Sequence, residues 1–351
     1  MSRKINLFII IFLICSGLFL FLVFHKNSRL SYDTGDEIAL ANNSLIHRFN
    51  QVQEKYTIPT GPKKISNDDG YFLKLQPGGK NIYYYLPSTG QIKSVPILNK
   101  ETAPSSIVAV IKPNFSKIEW SNDGKYLIAS HQENMFYYNL SSNTSKKLDS
   151  SISNPVFSSN NNLAYLDYDS VNDVSEIRLT NIDFYNSKSL LKTRFKNWKI
   201  TWLNSAVLGL YDGKSFFTLD INSGDFTKIF ENKKNLTVNP SPNSVGFIYS
   251  YLDGFGETQL NWYALADQKD NFLSSGLAAS GCLWSNDNVN IYCLNGSSVE
   301  ILNIETREIK ILAKDDVLAS AQSIILSNLE DYLIFKNSQN QKIYSLFIGQ
   351  E

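Results

Sequence analysis

The residues best placed to do chemistry are two cysteines that flank one polar turn. Cys282 and Cys293 bracket Ser285-Asn286-Asp287-Asn288, with short apolar runs on either side. If that stretch is a hairpin turn, pairing Ser285 with Asn290 and Trp284 with Ile291 sets Cys282 directly opposite Cys293. Directly opposed residues have Cα atoms about 4.5–5.5 Å apart, within reach of a disulfide. The bond needs an oxidising compartment. In a reducing one the pair would be two small buried apolar residues. No Cys-x-x-Cys spacing and no His accompanies them, so no zinc site is expected.

Carboxylates come next. Asp167, Asp169, Asp173 and Glu176 crowd one segment, and Asp253, Gly254, Gly256 and Glu257 crowd another. Oxygen ligands of this kind suit Ca²⁺. The spacing is not that of an EF-hand loop, and Asp, Asn and Gly are ordinary turn formers. The expectation is solvated binding loops at Asp167, Asp169, Asp173, Asp253 and Glu257, with no bound metal or other cofactor. Histidine offers little for acid–base work. Of His25, His47 and His131, only His131 lies beyond the N-terminal region, which leaves no basis for a Ser-His-Asp arrangement. No catalytic residue is assigned. Trp198 and Trp262 could stack on a sugar or peptide, but are expected in the core.

Composition narrows the setting. The 351 residues carry 33 Lys plus Arg against 33 Asp plus Glu, a balance with no footprint for nucleic acid. Aromatic residues reach 13%, with 19 Tyr and 21 Phe, a mixture suited to pleated, half-buried surfaces.

The N-terminus reads as an anchor. Ile5 to Phe24 is apolar except for Asn6, Ser16 and Gly17. About 20 such residues cross the roughly 30 Å hydrocarbon core. Arg3 and Lys4 precede the span, which keeps the N-terminus cytoplasmic. Phe19 to Phe24 is bulky where a cleavable signal would place small residues, and Ile14 precedes Cys15 where a lipoprotein signal needs a small residue. The expected division is a cytoplasmic N-terminus and transmembrane anchor over 1–26, a stalk over 27–64, and one extracytoplasmic domain over 65–351.

That domain is built from repeats. Ile118-Glu119-Trp120-Ser121-Asn122-Asp123-Gly124-Lys125-Tyr126-Leu127-Ile128-Ala129-Ser130 reads as strand, tight turn, strand. Related segments centre on Ser158, Leu203, Ser241, Ser285 and Ser327, at steps of 37, 45, 38, 44 and 42 residues from Ser121. An irregular earlier copy begins at Asp69-Gly70-Tyr71-Phe72, with Ile82 to Leu86 read as its third strand. A period near 40 with four short strands per unit marks propeller blades. The fold class is therefore all-β, a seven-bladed β-propeller after one transmembrane helix, with six or eight blades as alternatives and a sandwich as the runner-up. The last unit stops soon after its third strand, Lys342 to Ile348, so a closed ring needs a strand from Tyr56 to Ile65.

The stretch Trp120-Ser121-Asn122-Asp123-Gly124-Lys125 resembles the repeat of TolB-type, WD40-like propellers, aromatic-Ser-Pro-Asp-Gly-Lys before an apolar strand. The resemblance spans roughly residues 66–348 and implies the fold rather than a partner. Asn122, Asn286 and Asn328 stand where that repeat has Pro. The functional expectation is a binding or scaffold module in the cell envelope, single-pass in the cytoplasmic membrane, that meets a protein or glycan. The competing expectation is an envelope hydrolase or lyase using loop-face carboxylates.

Overall fold

A computed structural model describes residues 61–98, 104–184 and 186–349. They form seven four-stranded antiparallel sheets, the blades of a β-propeller. Blade 7 takes its outer strand from the N-terminal side: β1 (Lys63–Ser66). Blade 1 is β2 (Tyr71–Leu75), β3 (Asn81–Leu86), β4 (Gln91–Pro96) and β5 (Ser106–Val110). Blade 2 is β6 (Lys117–Trp120), β7 (Tyr126–His131), β8 (Asn134–Asn139) and β9 (Thr144–Lys147). Blade 3 is β10 (Ile152–Phe157), β11 (Leu163–Asp169), β12 (Val174–Thr180) and β13 (Lys188–Thr193). Blade 4 is β14 (Lys199–Trp202), β15 (Val207–Tyr211), β16 (Phe216–Asp220) and β17 (Phe226–Phe230). Blade 5 is β18 (Lys234–Pro240), β19 (Gly246–Leu252), β20 (Thr258–Ala264) and β21 (Lys269–Ser275). Blade 6 is β22 (Cys282–Trp284), β23 (Asn290–Asn295), β24 (Ser298–Asn303) and β25 (Ile309–Lys314). Blade 7 is completed by β26 (Ala321–Leu326), β27 (Tyr332–Asn337) and β28 (Ile343–Phe347), which pairs with β1.

The ring is thus closed by a strand from the segment Tyr56–Ile65, of which 56–60 lie outside the described residues. Closure leaves no open edge between the last blade and the first. The sandwich alternative falls, because no two of these sheets merge into a face-to-face pair of large sheets. The frame of blade 1 also differs from the sequence reading. Ile82–Leu86 belongs to β3, the second strand, and the third is β4. Leu75 and Gln76 occupy the places of the aromatic and the Ser, and Gln76 N–H donates to Asn81 O as Ser121 N–H does to Tyr126 O.

Seven apolar clusters hold the ring, one at each blade interface. Between blades 4 and 5, for example, Phe216 packs on Phe247 at 4.7 Å between ring centroids. The motif serines are buried. Each lies where its Oγ can meet the backbone as the chain re-enters the sheet: Ser121, Ser158, Ser241 and Ser327 accept from Tyr126, Asn162, Gly246 and Tyr332 N–H. This keeps a tight polar turn from leaving buried donors unpaired.

Alternate blades are built differently. In blades 1, 3, 5 and 7 the inner strand breaks register with the second strand. A residue at positive φ sits at each break: Phe72, Asn154, Asn235 and Ser323. The inner strands of blades 2, 4 and 6 pair without a shift and end in Trp120, Trp202 and Trp284. Each indole Nε1–H donates back to the preceding blade's bulged inner strand: to Phe72 O at 2.8 Å, Val156 O at 3.2 Å and Asn239 O at 3.2 Å. The three tryptophans stand 82 residues apart in sequence, so the repeating unit is a pair of blades.

Among the described residues there is no helix long and apolar enough to cross a membrane. The span read at Ile5–Phe24 and the stalk before Gly61 lie outside them.

Candidate functional site

In a ring of four-stranded antiparallel blades, the connections from second to third strand share one face with the links between blades. Both acidic segments lie on that face: the β11–β12 connection of blade 3 and the β19–β20 connection of blade 5. The structure shows what the carboxylates do. Asp169 Oδ1 accepts from Val171 and Asn172 N–H, at 2.9 and 3.1 Å, and Oδ2 from Asn172 Nδ2 at 2.6 Å. Asp253 Oδ1 accepts from Phe255 and Glu257 N–H, both at 2.9 Å, and Oδ2 from Gln259 Nε2 at 2.9 Å. Both are Asx-type caps of their own turns, and these bonds to the charged form hold both carboxyls below their usual pKa. Gly256, at φ +81, closes the second loop.

The remaining acids on blade 3 are paired. Asp173 accepts from Tyr168 Oη at 2.7 Å and from Lys196 Nζ at 2.5 Å. Asp167 and Glu176 are directly opposed across the β11–β12 ladder. Arg178 lies between them, 3.7 Å from Asp167 and 2.7 Å from Glu176, and Lys192 adds a second contact to Glu176 at 2.7 Å. Blades 3 and 5 are not neighbours, so Asp253 and Glu257 do not join the blade 3 acids. Among the described residues no group of three or more His, Cys, Asp or Glu is placed to hold a metal ion. His131 is tied by Nδ1 to Asn114 O at 2.5 Å, while His25 and His47 lie outside the described residues. Trp198 and Trp262 are buried and belong to interblade clusters.

What these caps hold out is apolar. Val171 and Phe255 each follow their capping Asp by two residues and are 89% and 99% exposed. Sequence reasoning passed over both, since one Val and one Phe between polar residues carry no periodic signal. The signal available is the Asp-x-apolar spacing shared by two equivalent loops.

The opposite face carries the first-to-second-strand turns, and these are wired from blade to blade. Asn122 N–H donates to Asn161 Oδ1 at 3.2 Å, and Asn243 N–H to Asn288 Oδ1 at 2.9 Å. Asn286 N–H donates to Glu330 Oε1, while Ser285 Oγ and Tyr292 Oη donate to Glu330 Oε2 at 2.7 and 3.1 Å. The acceptors Asn161, Asn288 and Glu330 all have φ near +60°. Asn122 and Asn286 thus supply what Pro could not, since Pro there would remove the N–H that the next blade accepts. Where Pro242 does occupy the place, the donor moves on to Asn243.

Cys282 and Cys293 form a disulfide with a Cα–Cα distance of 4.1 Å. The register is the one read from the turn, with Ser285 N–H donating to Asn290 O and Trp284 opposite Ile291. Counting out from that bond, the cysteines occupy a non-hydrogen-bonded pair, where opposed side chains approach most closely.

No family model matches the sequence, and no curated protein matches it. Solved structures do. An oligogalacturonate lyase in complex with manganese is similar at a TM-score of 0.64 and 9% identity, over 84% of this chain and 96% of that one. The Cps50 (Swd1) β-propeller domain of Myceliophteria thermophila is similar at 0.54 and 10% identity, over 82% and 100%. A chain of a mitotic checkpoint complex is similar at 0.54 and 11% identity, over 82% and 94%. At these identities the likeness shows the fold alone.

Proposed function

We propose that the chain is an extracytoplasmic binding and scaffold ring, tethered to the cytoplasmic membrane by the span at Ile5–Phe24 and docking an envelope protein on its loop face. The observation that carries this reading is the pair of Asp-capped loops that hold Val171 and Phe255 in solvent. An exposed aromatic on a rigid support loses little entropy on docking, which is the profile of an interface anchor. The disulfide supports the outside topology, since such bonds persist in oxidising compartments. The turn at Trp120–Ala129 supports placing the chain among divergent TolB-like propellers.

The enzyme alternative, a hydrolase or lyase acting through loop-face carboxylates, gains nothing from those residues. Caps and ion pairs hold Asp169, Asp173 and Asp253 below their usual pKa, the wrong direction for a general acid, and Asp167 faces Arg178.

The test is affinity capture from envelope extract with the full chain and with a Val171→Asp/Phe255→Asp double variant. A protein recovered by the native ring and lost by the variant supports the reading. Equal recovery by both overturns it.

A further inference from the structure

The turn face opens into a cavity of about 360 Å³ where the inner strands of blades 2 to 5 converge. Its walls are of two kinds. Phe157, Trp202 and Pro240 give apolar surface; Thr201 and Ser205 give hydroxyls. Glu119, in the middle of β6, is the one carboxylate in the lining. That volume lies at the small end of ligand sites, which run about 300–1,000 Å³.

Glu119 is the unusual member. Asp169, Asp173, Glu176, Asp253 and Glu330 all receive hydrogen bonds. Among the described residues Glu119 has neither a hydrogen-bond donor nor an ion-pair partner, and its oxygens are not sealed from solvent. Burial raises its pKa, and the charges of Lys117 and Lys74 only partly oppose this. Lys74, on the adjacent inner strand β2, is itself pushed down by burial, opposed by the charges of Glu119 and Asp123. The ammonium and carboxylate sense each other without touching. A half-buried charge without a partner is costly to the fold, and such groups in a concave site mark binding positions.

We propose that this cavity binds a short neutral saccharide, with sugar hydroxyls donating to Glu119 and the apolar face of a ring lying on the Trp202 wall. The two kinds of wall decide the class. A purely apolar ligand would strip water from Glu119 without replacing it. An anionic one would meet the carboxylate head-on. A simple ammonium would satisfy Glu119 but would bring a third cation beside Lys74 and Lys117. A sugar ring offers donors on its rim and C–H surface on its face. The proposal does not rest on the docking role of the opposite face, and failure at either site leaves the other standing.

The experiment is titration of the full-length protein in detergent with maltose, cellobiose and chitobiose, read by tryptophan fluorescence and calorimetry. Titration to about 10 mM covers a weak site with a Kd of roughly 1 mM. At least one disaccharide should bind saturably and shift the tryptophan emission. Glu119→Gln keeps the side-chain shape and should weaken that binding by about tenfold with no fall in melting temperature. Thr201→Val, a second variant that removes one hydroxyl, should weaken it by a smaller factor. The proposal is overturned if no disaccharide saturates, if Glu119→Gln binds as tightly as the native chain, or if N-acetyl-lysine methylamide binds while all three sugars fail.

Discussion

Removing the disulfide should cost the ring several kcal/mol, and the amount can be worked from its place in blade 6. The bond closes a loop with a sequence separation of 11 residues. For a closed loop of that size, the chain-entropy model gives about 3 kcal/mol at 25 °C. Cys282 and Cys293 are both almost fully buried. A Cys282→Ala/Cys293→Ala variant therefore loses two packed sulfurs as well, a further term on the order of 1 kcal/mol. For a domain this large each kcal/mol shifts Tm by roughly 2 °C. Reduction alone should lower Tm by about 6 °C, and the double Ala variant by about 8 °C. The assay is differential scanning calorimetry of the chain with and without a reductant, next to mass spectrometry of a thiol-trapped, non-reduced digest. Two free thiols in freshly trapped protein, or a Tm indifferent to reductant, would refute both the bond and the oxidising compartment inferred from it.

Other perturbations probe the blade-to-blade wiring. Glu330→Ala removes the acceptor for Ser285, Asn286 and Tyr292 and should cost about 2–4 kcal/mol by urea denaturation. Glu330→Gly should cost about 1 kcal/mol less, because the residue sits at φ +59 where Gly is unstrained. Trp120→Phe leaves Phe72 O without its donor and should cost about 1–3 kcal/mol; no change in urea midpoint would deny the indole bond a role. The closing segment supplies a pH test. Burial alone would raise the Asp68 pKa, but hydrogen bonds from Tyr84, Lys93 and Ser105 outweigh it and leave the group low. Its stabilisation is therefore present above the unfolded value near 3.9 and is lost as pH falls through the depressed folded value. Asp68→Asn should flatten the acid limb of the stability curve below about pH 4, and an unchanged limb would count against the network. Tyr84, pushed up to about 12 by burial and the bond to Asp68, should make the alkaline loss of stability begin above about pH 10.

Much of this was legible in the residues, and for identifiable reasons. The Ser at positions 121, 158, 241, 285 and 327 marks a turn whose Oγ the backbone uses, so it recurs and can be counted. The cysteine register follows from the turn alone, because side chains in a ladder alternate with period two. Blade 1 hides its frame because Leu75 and Gln76 replace the aromatic and the Ser together, where blade 4 keeps Trp202 and blade 7 keeps Ser327, while the backbone bond that defines the turn needs neither side chain. The inner-strand bulges were hidden for a different reason. Asn154 and Asn235 look like ordinary turn formers, and Phe72 and Ser323 give no sign of a positive φ. At the candidate sites, the acidic clusters could be found but their use as caps could not, since capping depends on which amide lies within reach. Glu119 gave no signal because its isolation is a property of the folded cavity.

The two-blade unit has a consequence for how such a ring can change size. Seven is odd, so a ring made of couplets must somewhere set two blades of the same kind side by side. That place is the junction of blades 7 and 1, both with bulged inner strands and with no indole between them. The chain crosses it from Ser66 at the end of β1 to Tyr71 at the start of β2, and the pairing of the first and last strands, β1 against β28, lies inside blade 7. The mismatch therefore adjoins the blade in which strands far apart in sequence, β1 and β28, are brought together. Loss or gain of 82 residues would leave every indole opposite a bulge and keep one mismatch; loss of an interior blade would add a second, whereas loss of blade 1 or blade 7 would leave six blades in unbroken alternation. Engineered six-blade rings lacking blade 1 should therefore close more readily than six-blade rings lacking an interior blade.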